Sequence, residues 1–425
     1  MDARGSHVSA LATPGVVGDG LHDDTAGLQA ALDSGAAVVH LPTPPAGYLI
    51  TRPLVIHSGQ TLLCDRNAAL RLADRAHRYM LVNDDPERGN RGISIIGGIW
   101  DGNNAHQTCE YHEGGDWRVP FSKDRYLGVL MQLVNVDDLH LSGLTLKDPE
   151  CYGIQLGAVR RFTVQDITFD YNMLTNNMDG VHVHGPASQG RIANLKGATN
   201  DDQVALNADD GAMFEVTRGP ITDVEIQGVW AENGYTGVRL LSAGSPISRV
   251  RISGLYGSFR YYGVSFTHHN VHPGEPSTVT DVVIDGMHLS KPPRAEGQPL
   301  PQSDMEQCRF PLIWVEGGMN VGSLLLSNLV RTEAVELAPP AVLVSEGAKV
   351  RHLGVCNAAV ANLADSALDF IVNRGTIESL SLANVCTSAR SAATRGTVVR
   401  NMGTIGQTAL HNVVTRTDCG PGVAE

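Results

Sequence analysis

The sequence predicts an all-β fold, a β-solenoid whose N-terminal end is covered by a helix. Short strand-like runs with alternating apolar residues recur along the chain, and most of their spacings fall in the twenties. The 425 residues include 46 glycines, and only one segment has a clear helical pattern. A period of this length, with several short strands in each repeat, is typical of solenoid proteins, and the scarcity of helices favours a β-solenoid over helical arrays.

The predicted helix spans residues 24–33. Asp24 or Thr25 can cap its start, and Gly35 ends it. Because the open end of a solenoid exposes its core, a helix before the first coil is expected to cover that end. Its apolar stripe consists of Leu28, Ala31 and Leu32.

The coils are expected to form one structural domain together with this helix. Residues 1–45 are the N-terminal segment with the capping helix, and residues 46–425 are the solenoid. A solenoid is continuous at any length, and no Pro/Ser-rich linker or block of charge divides the sequence. The core is predicted to contain an aliphatic ladder of Ile154, Val181, Val204, Val238 and Val264.

The strand-like runs carry apolar residues at alternate positions, and side chains two residues apart share one face of a strand. Two runs begin at an aspartate, 179–184 (DGVHVH) and 202–207 (DQVALN). Their apolar residues are predicted to face the core, whereas His182, His184 and Asn207 are predicted to face outward. Further runs occur at 152–157, 236–241, 262–267, 312–316, 341–345 and 368–373.

Three carboxylates accompany the two aspartate runs. Asp179 begins the first run, and Asp201 and Asp202 follow it by 22 and 23 residues. If successive runs stack as neighbouring strands about 4.8 Å apart, the three carboxylates converge on one small surface patch. Like charges that close raise at least one pKa, so that a single residue type can supply both an acid and a base.

Composition limits the partners. A formal net charge of −13 and a pI near 5.6 disfavour nucleic acid and anionic membranes, since both require a basic face. No run of 18 apolar residues is present to span a membrane. The first seven residues have no apolar stretch typical of a signal peptide, which indicates a cytoplasmic protein, or a secreted one if a leader has been removed.

The seven cysteines are scattered and contain no Cys-x-x-Cys pair, so a zinc site of that kind is not predicted. Their odd number favours reduced thiols buried in the solenoid. The sequence predicts no metal and no cofactor. The cysteines are Cys64, Cys109, Cys151, Cys308, Cys356, Cys386 and Cys419.

Several segments resemble a known family. Residues 18–33, 39–42 and 48–51 are similar to the N-terminal cap and first coil of the pectin-lyase-like proteins, which are single-stranded right-handed parallel β-helices. The segments 177–180 (NMDG) and 200–207 (NDDQVALN) are similar to the Asn-Thr-Asp-Gly and Asp-Asp-Cys-x-Ala-Ile motifs of glycoside hydrolase family 28, the polygalacturonases, in the same order and at nearly the same spacing.

This resemblance implies an inverting hydrolysis without a cofactor. Asp201 matches the family's general acid, and Asp179 and Asp202 match the pair that activates water. Inversion requires carboxyl groups about 6.5–9.5 Å apart, so that a water molecule fits between the base and the sugar. The alternative is that these residues only shape turns and side-chain ladders of the solenoid.

The sequence departs from the family where the substrate carboxylate would bind. It contains no Gly-His-Gly segment. The family's Arg-Ile-Lys coil matches either residues 237–241, with Leu241 in the lysine position, or residues 263–267, with Ser265 and Thr267. In both alignments the lysine is missing, so the sequence supports the hydrolytic aspartates better than it supports galacturonan as the substrate.

Other residues are expected to line the substrate cleft. Arg239 is suited to hold a substrate oxygen, and aromatic rings can stack on sugars. The segment 113–118 (EGGDWR) is predicted to be a loop inserted over the cleft. The predicted substrate-binding residues are His182, Asn207, Arg239, Tyr235, Tyr262, His268, Trp314 and Glu316.

Three function classes follow. The first is a glycoside hydrolase that acts on an oligo- or polysaccharide. Its partner is then the carbohydrate substrate, and the expected oligomeric state is a monomer or small homo-oligomer. The second is a lyase or transferase on the same fold; a lyase needs a cation, and three clustered aspartates could hold calcium. The third is a non-catalytic, tailspike-like glycan-binding protein.

Overall fold

A computed structural model describes residues 7–293 and 310–417. The chain forms two compact units, which are described separately: the first contains residues up to 205 together with 210–220, and the second contains 206–209 and the residues from 221 onward. That the two units form one structural domain stays a prediction from the sequence. Cys308 and Cys419 lie outside the described residues.

The first unit is built from strands, most of them short, that pair in parallel with strands of the next coil. It also contains the helix α1 (Thr25–Leu32) and two 3-10 helices (Ala10–Ala12 and Asn104–His106). Its strands are β1 (His7–Ser9), β2 (Asp19–Asp23), β3 (Val38–Leu41), β4 (Gly47–Ile50), β5 (Leu54–Ile56), β6 (Thr61–Cys64), β7 (Ala69–Leu72), β8 (Leu81–Asn83), β9 (Asn90–Ile96), β10 (Ile99–Asp101), β11 (Met131–Val134), β12 (Val136–Ser142), β13 (Thr145–Lys147), β14 (Ile154–Asp170) and β15 (Val181–Lys196).

Strand β16 (Asp202–Asn207) contains residues of both units. The second unit consists of long and short parallel strands in alternation, and long strands pair with long ones and short with short ones. Its strands are β17 (Ile221–Gly234), β18 (Thr236–Leu241), β19 (Ile247–Phe259), β20 (Val264–Thr267), β21 (Ser277–Ser290), β22 (Ile313–Val315), β23 (Met319–Glu333), β24 (Val342–Val344), β25 (Lys349–Asn362), β26 (Ile371–Asn373), β27 (Thr376–Ala389), β28 (Val399–Asn401) and β29 (Thr404–Arg416).

Aliphatic ladders form the core of each unit, as the alternating pattern predicts. In the first unit Ile154 pairs with Val181, and both side chains are 0% exposed. In the second unit Val238 pairs with Val264, which pairs with Ile313, and these are equally buried. The predicted all-β class, the parallel β-helix and its N-terminal capping helix are therefore confirmed.

The helix α1 buries the predicted stripe of Leu28, Ala31 and Leu32. Its capping differs from the expectation, because the side chain of Asp24 makes no cap hydrogen bond. The Asp24 carboxylate instead accepts hydrogen bonds from the backbone N–H groups of Val17 and Leu49, so it ties the first coil to the segment before the helix.

One corner of the second unit is stabilised by stacked asparagines. Asn328, Asn357, Asn384 and Asn412 have φ values of 50–57°, a left-handed conformation that asparagine tolerates better than most residues. Each of the last three donates its side-chain amide to the asparagine of the preceding coil, over 3.3, 3.2 and 2.9 Å. These asparagines satisfy one another's hydrogen bonds along the corner, which is a structural role.

Candidate active site

The two aspartate motifs lie in adjacent coils. The backbone N–H of Gly180 donates to the carbonyl oxygen of Asp202 over 2.9 Å, so Asp179 and Asp202 start neighbouring strands. Only glycine fits at position 180, because a Cβ atom there would come within 2.5 Å of both the Gln203 carbonyl oxygen and the Phe169 ring. The glycine of the NMDG segment thus allows the two carboxylate-bearing turns to stack closely.

A buried histidine links Asp179 to a carboxylate that sequence reasoning missed. His182 Nδ1 lies 2.7 Å from Asp179 Oδ2, and His182 Nε2 lies 3.0 Å from Asp210 Oδ2. Asp179 is 1% exposed and His182 is 0% exposed. The ring also stacks between Tyr152, at a centroid distance of 4.0 Å, and His184, at 4.7 Å. These contacts fix the orientation of the Asp179 carboxylate.

His182 is positively charged at neutral pH in this setting. Although burial lowers the pKa of an imidazole, the hydrogen bonds and charges of Asp179 and Asp210 outweigh it and raise the pKa of His182 to about 9. One imidazolium between two carboxylates leaves the three groups with a net charge of about −1. The like-charge repulsion expected among clustered aspartates is therefore partly offset on the side of Asp179.

We expect this histidine to make stability depend on pH. Its pKa is raised on folding, so the stabilisation is complete below the unfolded value of about 6.5 and is lost as pH rises through about 9, a change of at most about 3 kcal/mol. In urea unfolding at pH 6, 7.5 and 9, His182→Gln should lack this component of the pH slope. His140→Gln, which replaces a partly exposed histidine of the same unit, serves as the control. A His182→Gln slope equal to that of the unaltered protein would contradict the charged pair.

Asp201 and Asp202 differ in exposure. The Asp202 side chain is buried at 2%, whereas Asp201 is partly exposed. Tyr111 lies near Asp201: burial raises the pKa of the Tyr111 hydroxyl, and the charges of Cys151, Asp201 and others act in the same direction. Tyr111 also approaches Asn177 of the NMDG segment, with 3.5 Å between its hydroxyl and Asn177 Oδ1. Among the three aspartates, Asp201 is the one with access to solvent.

The outward face of these strands is covered, which corrects the predicted exposure of three residues. His182, His184 and Asn207 are all 0% exposed. Within the first unit, the segment 210–220 covers the outward face of these strands. Its Phe214 carbonyl accepts a hydrogen bond from Gln155, and its Gly219 packs so closely against position 185 that a Cβ atom there would lie 1.7 Å from the Gly219 carbonyl oxygen.

A second segment, residues 107–128, packs on the first. The backbone of Met213 donates to the carbonyl of Trp117, and Phe121 donates to Ala212, over 3.2 and 2.8 Å. The predicted loop at 113–118 lies in this segment and carries Trp117, which is 58% exposed. The two segments share an apolar cluster that contains Tyr79, Cys109, Leu127, Val129, Cys151, Tyr152, Met213 and Phe214.

The remaining predicted substrate-binding residues belong to the second unit. Arg239 and Trp314 both stand in register with Ser265, so all three occupy equivalent positions of successive strands. Tyr262 is 8% exposed and stacks on Trp314, with centroids 4.9 Å apart. Tyr235 stacks on Tyr261 at 4.0 Å. Tyr261 stacks in turn on Phe310 at 4.4 Å, so these aromatic rings mainly contact one another.

Glu316 and His268 join the turns that follow two successive short strands of the second unit, β20 and β22. Glu316 Oε2 accepts the backbone N–H groups of His268 and His269, over 2.7 and 3.0 Å. The His268 ring in turn hydrogen-bonds to the carbonyl oxygen of Gly317 through Nε2. Both predicted residues thus have structural contacts with the turn of the neighbouring coil.

Asp210, Tyr111 and Tyr152 were not among the predicted site residues. Asp210 follows strand β16 by three residues, and a second Asp-Asp pair at 209–210 was the available signal. Its partner there, Asp209, serves a different purpose, since its Oδ2 accepts the backbone N–H groups of Ala243 and Ser245. Tyr152 begins one of the strand-like runs and Tyr111 lies in a loop, and neither belongs to a catalytic motif.

Among the described residues, two groups of side chains could hold a metal ion. The first is His182, His184 and Asp210, whose donor atoms lie within 4.8 Å of one another. Both ring nitrogens of His182 already face carboxylates, which favours the charged hydrogen-bond network at that position. The second group is Cys109, His112 and Cys151. Hydrogen bonds with Cys151 and His112 lower the pKa of the Cys109 thiol to about 7, against the effect of burial.

The fold defines the chain as a parallel β-helix protein. In the described part of the chain, no helix is long and apolar enough to cross a membrane. The sequence matches no protein-family model and no curated protein.

Solved structures with the same fold match nearly the whole chain. A family 28 exopolygalacturonase of Yersinia enterocolitica has a TM-score of 0.58 and 15% identity, over 95% of this chain and 78% of that one. The A-module of the mannuronan C-5 epimerase AlgE4 of Azotobacter vinelandii has a TM-score of 0.59 and 13% identity, over 97% and 98%. A tailspike protein mutant of E. coli bacteriophage HK620 has a TM-score of 0.58 and 13% identity, over 96% and 78%. At these identities the likeness establishes the fold.

Proposed function

We propose that the protein is a glycoside hydrolase that cleaves an oligo- or polysaccharide with inversion. The observation that carries this proposal is the stacking of two carboxylate-bearing turns through the Gly180 to Asp202 hydrogen bond, beside a third, more exposed carboxylate at Asp201. Two of the similar folds are named as enzymes of carbohydrate polymers, which supports a carbohydrate substrate.

The three aspartates have different proposed roles. Asp201 is the partly exposed group and donates a proton to the glycosidic oxygen. Asp179 and Asp202 are buried in adjacent coils and hold the attacking water from the opposite face of the sugar ring. His182 positions Asp179 through the 2.7 Å hydrogen bond and does not touch the sugar itself, since it is 0% exposed. This arrangement adds a positioning histidine to the aspartate-only mechanism that the sequence suggests.

The substrate is proposed to be a sugar whose recognition does not depend on a lysine–carboxylate pair. The chain has Leu241 or Thr267 where the polygalacturonases have that lysine. A site without such a partner favours neutral sugars, because a carboxylate desolvated without a cation loses more than it gains.

The test is a digestion screen with defined products. Plant and microbial polysaccharides, both neutral and uronate-containing, are incubated with the protein, and early products are followed by NMR. Asp170→Asn, which alters an exposed carboxylate of the same unit, should be fully active. We expect reducing ends with the inverted anomeric configuration from at least one polymer.

Three outcomes would overturn the proposal. Early products that retain the anomeric configuration would contradict the roles assigned to the three aspartates. Unsaturated products would indicate a lyase. Binding of a glycan without any turnover would indicate a glycan-binding protein.

A further inference from the structure

A cluster of electron-rich side chains lies outside the aspartate site and has no part in the proposed reaction. Cys109 and His112 stand three positions apart in the segment 107–128, and Cys151 joins them from the turn before β14. Glu150 is adjacent: its Oε1 accepts the backbone N–H of Cys109 and lies 3.3 Å from His112 Nδ1. Cys109, Cys151 and Glu150 are 0%, 0% and 2% exposed.

The distances match those of a tetrahedral zinc site. Cys109 Sγ lies 3.8 Å from Cys151 Sγ and 3.4 Å from His112 Nδ1. Two sulfurs bound at about 2.3 Å to a tetrahedral zinc ion are about 3.8 Å apart, and a sulfur and an imidazole nitrogen are about 3.6 Å apart. A disulfide instead requires about 2.05 Å between the sulfurs, so these thiols do not have that geometry.

The buried carboxylate of Glu150 beside the thiols also favours a bound cation. Two thiols and a carboxylate face one another, and one oxygen of Glu150, Oε2, is buried without a hydrogen-bond partner. Within residues 7–293 and 310–417, no lysine or arginine forms a hydrogen bond or ion pair with any of the four side chains, so His112 is their one basic partner. A buried carboxylate oxygen without a donor is costly unless a positive charge satisfies it.

We propose that Cys109, His112 and Cys151 bind a zinc ion, with Glu150 beside its fourth position. The ion would attach the segment 107–128 to the turn that carries Tyr152. Tyr152 stacks on His182, and Tyr111 reaches Asn177, so the zinc site would hold in place two aromatic residues that border the aspartates. The His112 side chain, 20% exposed, gives the ion a path to the site.

The experiment measures metal binding and not activity, so its result is independent of the proposed reaction. Protein isolated under reducing conditions is analysed for zinc, then stripped with a chelator and titrated with Co²⁺. We expect about one zinc ion per chain and a tetrahedral, thiolate-ligated Co²⁺ spectrum. Competition with a chromophoric chelator gives the zinc affinity of each variant.

Matched variants locate the site. Cys109→Ser, Cys151→Ser and His112→Gln should abolish the Co²⁺ spectrum, and Glu150→Gln should weaken zinc binding by about 10–100-fold. Cys356→Ser, which alters a partly exposed thiol of the second unit, should bind zinc normally. Circular dichroism checks the fold of each variant, and His112→Gln, at the least buried ligand, keeps the test decisive if a cysteine variant fails to fold.

Three results would overturn the assignment. One is reduced, folded protein that binds neither zinc nor Co²⁺ at stoichiometric amounts. A second is binding that survives both cysteine substitutions, which would place the metal elsewhere. A third is metal-free protein in which peptide mapping finds a disulfide between Cys109 and Cys151, which would make the pair a redox couple.

Discussion

Asp201→Asn should reduce kcat by several orders of magnitude on substrates with poor leaving groups. Asparagine keeps the shape of the side chain but has no acidic proton, so the glycosidic oxygen would leave unprotonated. Activated aryl glycosides need little protonation and should lose much less. The ratio of the two losses, measured on a natural glycan and on an aryl glycoside, separates a proton donor from a residue that only binds substrate.

Asp179→Asn and Asp202→Asn provide the comparison. Each weakens activation of the attacking water, so both should slow good and poor substrates by similar factors. Stability measurements must accompany Asp179→Asn, because that carboxylate also pairs with His182. If Asp201→Asn retains more than about a tenth of kcat, a loss of about 1.4 kcal/mol or less, Asp201 is not the general acid.

Val204→Asp should prevent folding or cause aggregation. Val204 is 0% exposed in the middle of β16, where all six residues are buried. A carboxylate there would be desolvated among apolar neighbours, at a cost of several kcal/mol, which is a large part of the total stability of about 5–15 kcal/mol of a typical domain.

A matched substitution tests whether burial is the cause. Leu325→Asp places the same charge on a strand, at a position that is 41% exposed, and should change the free energy of unfolding by about 0.5 kcal/mol or less. Soluble Val204→Asp protein with an unchanged melting temperature would show that the predicted strand register is wrong at this coil.

The strand register was predictable because it depends on local periodicity. Apolar residues two positions apart must share a face, so Ile154 and Val181, or Val238 and Val264, could be assigned to the core before any coordinates were known. The helix α1 was predictable for the same reason. The aspartate motifs could be found because they lie on these periodic runs.

The periodic pattern could not predict what covers the outward face. His182, His184 and Asn207 alternate with core residues as exposed residues would, yet they are fully buried. For the two histidines, the burial comes within the first unit from the segment 210–220, whose residues have no period of their own. The alternating pattern predicts which face of the strand a side chain occupies, but it does not predict whether a loop covers that face.

The sequence by itself determined the parallel coils, their cores, the N-terminal helix and the candidate aspartates, because each depends on spacing within a repeat. Only the tertiary structure decided which distant groups meet. Asp210 reaches His182 across 28 positions, and Cys151 reaches Cys109 across 42. Such contacts depend on how irregular loops fold back onto regular coils. Loop paths are set by packing and by the pairing of buried polar groups, and neither has a repeating signature in the chain.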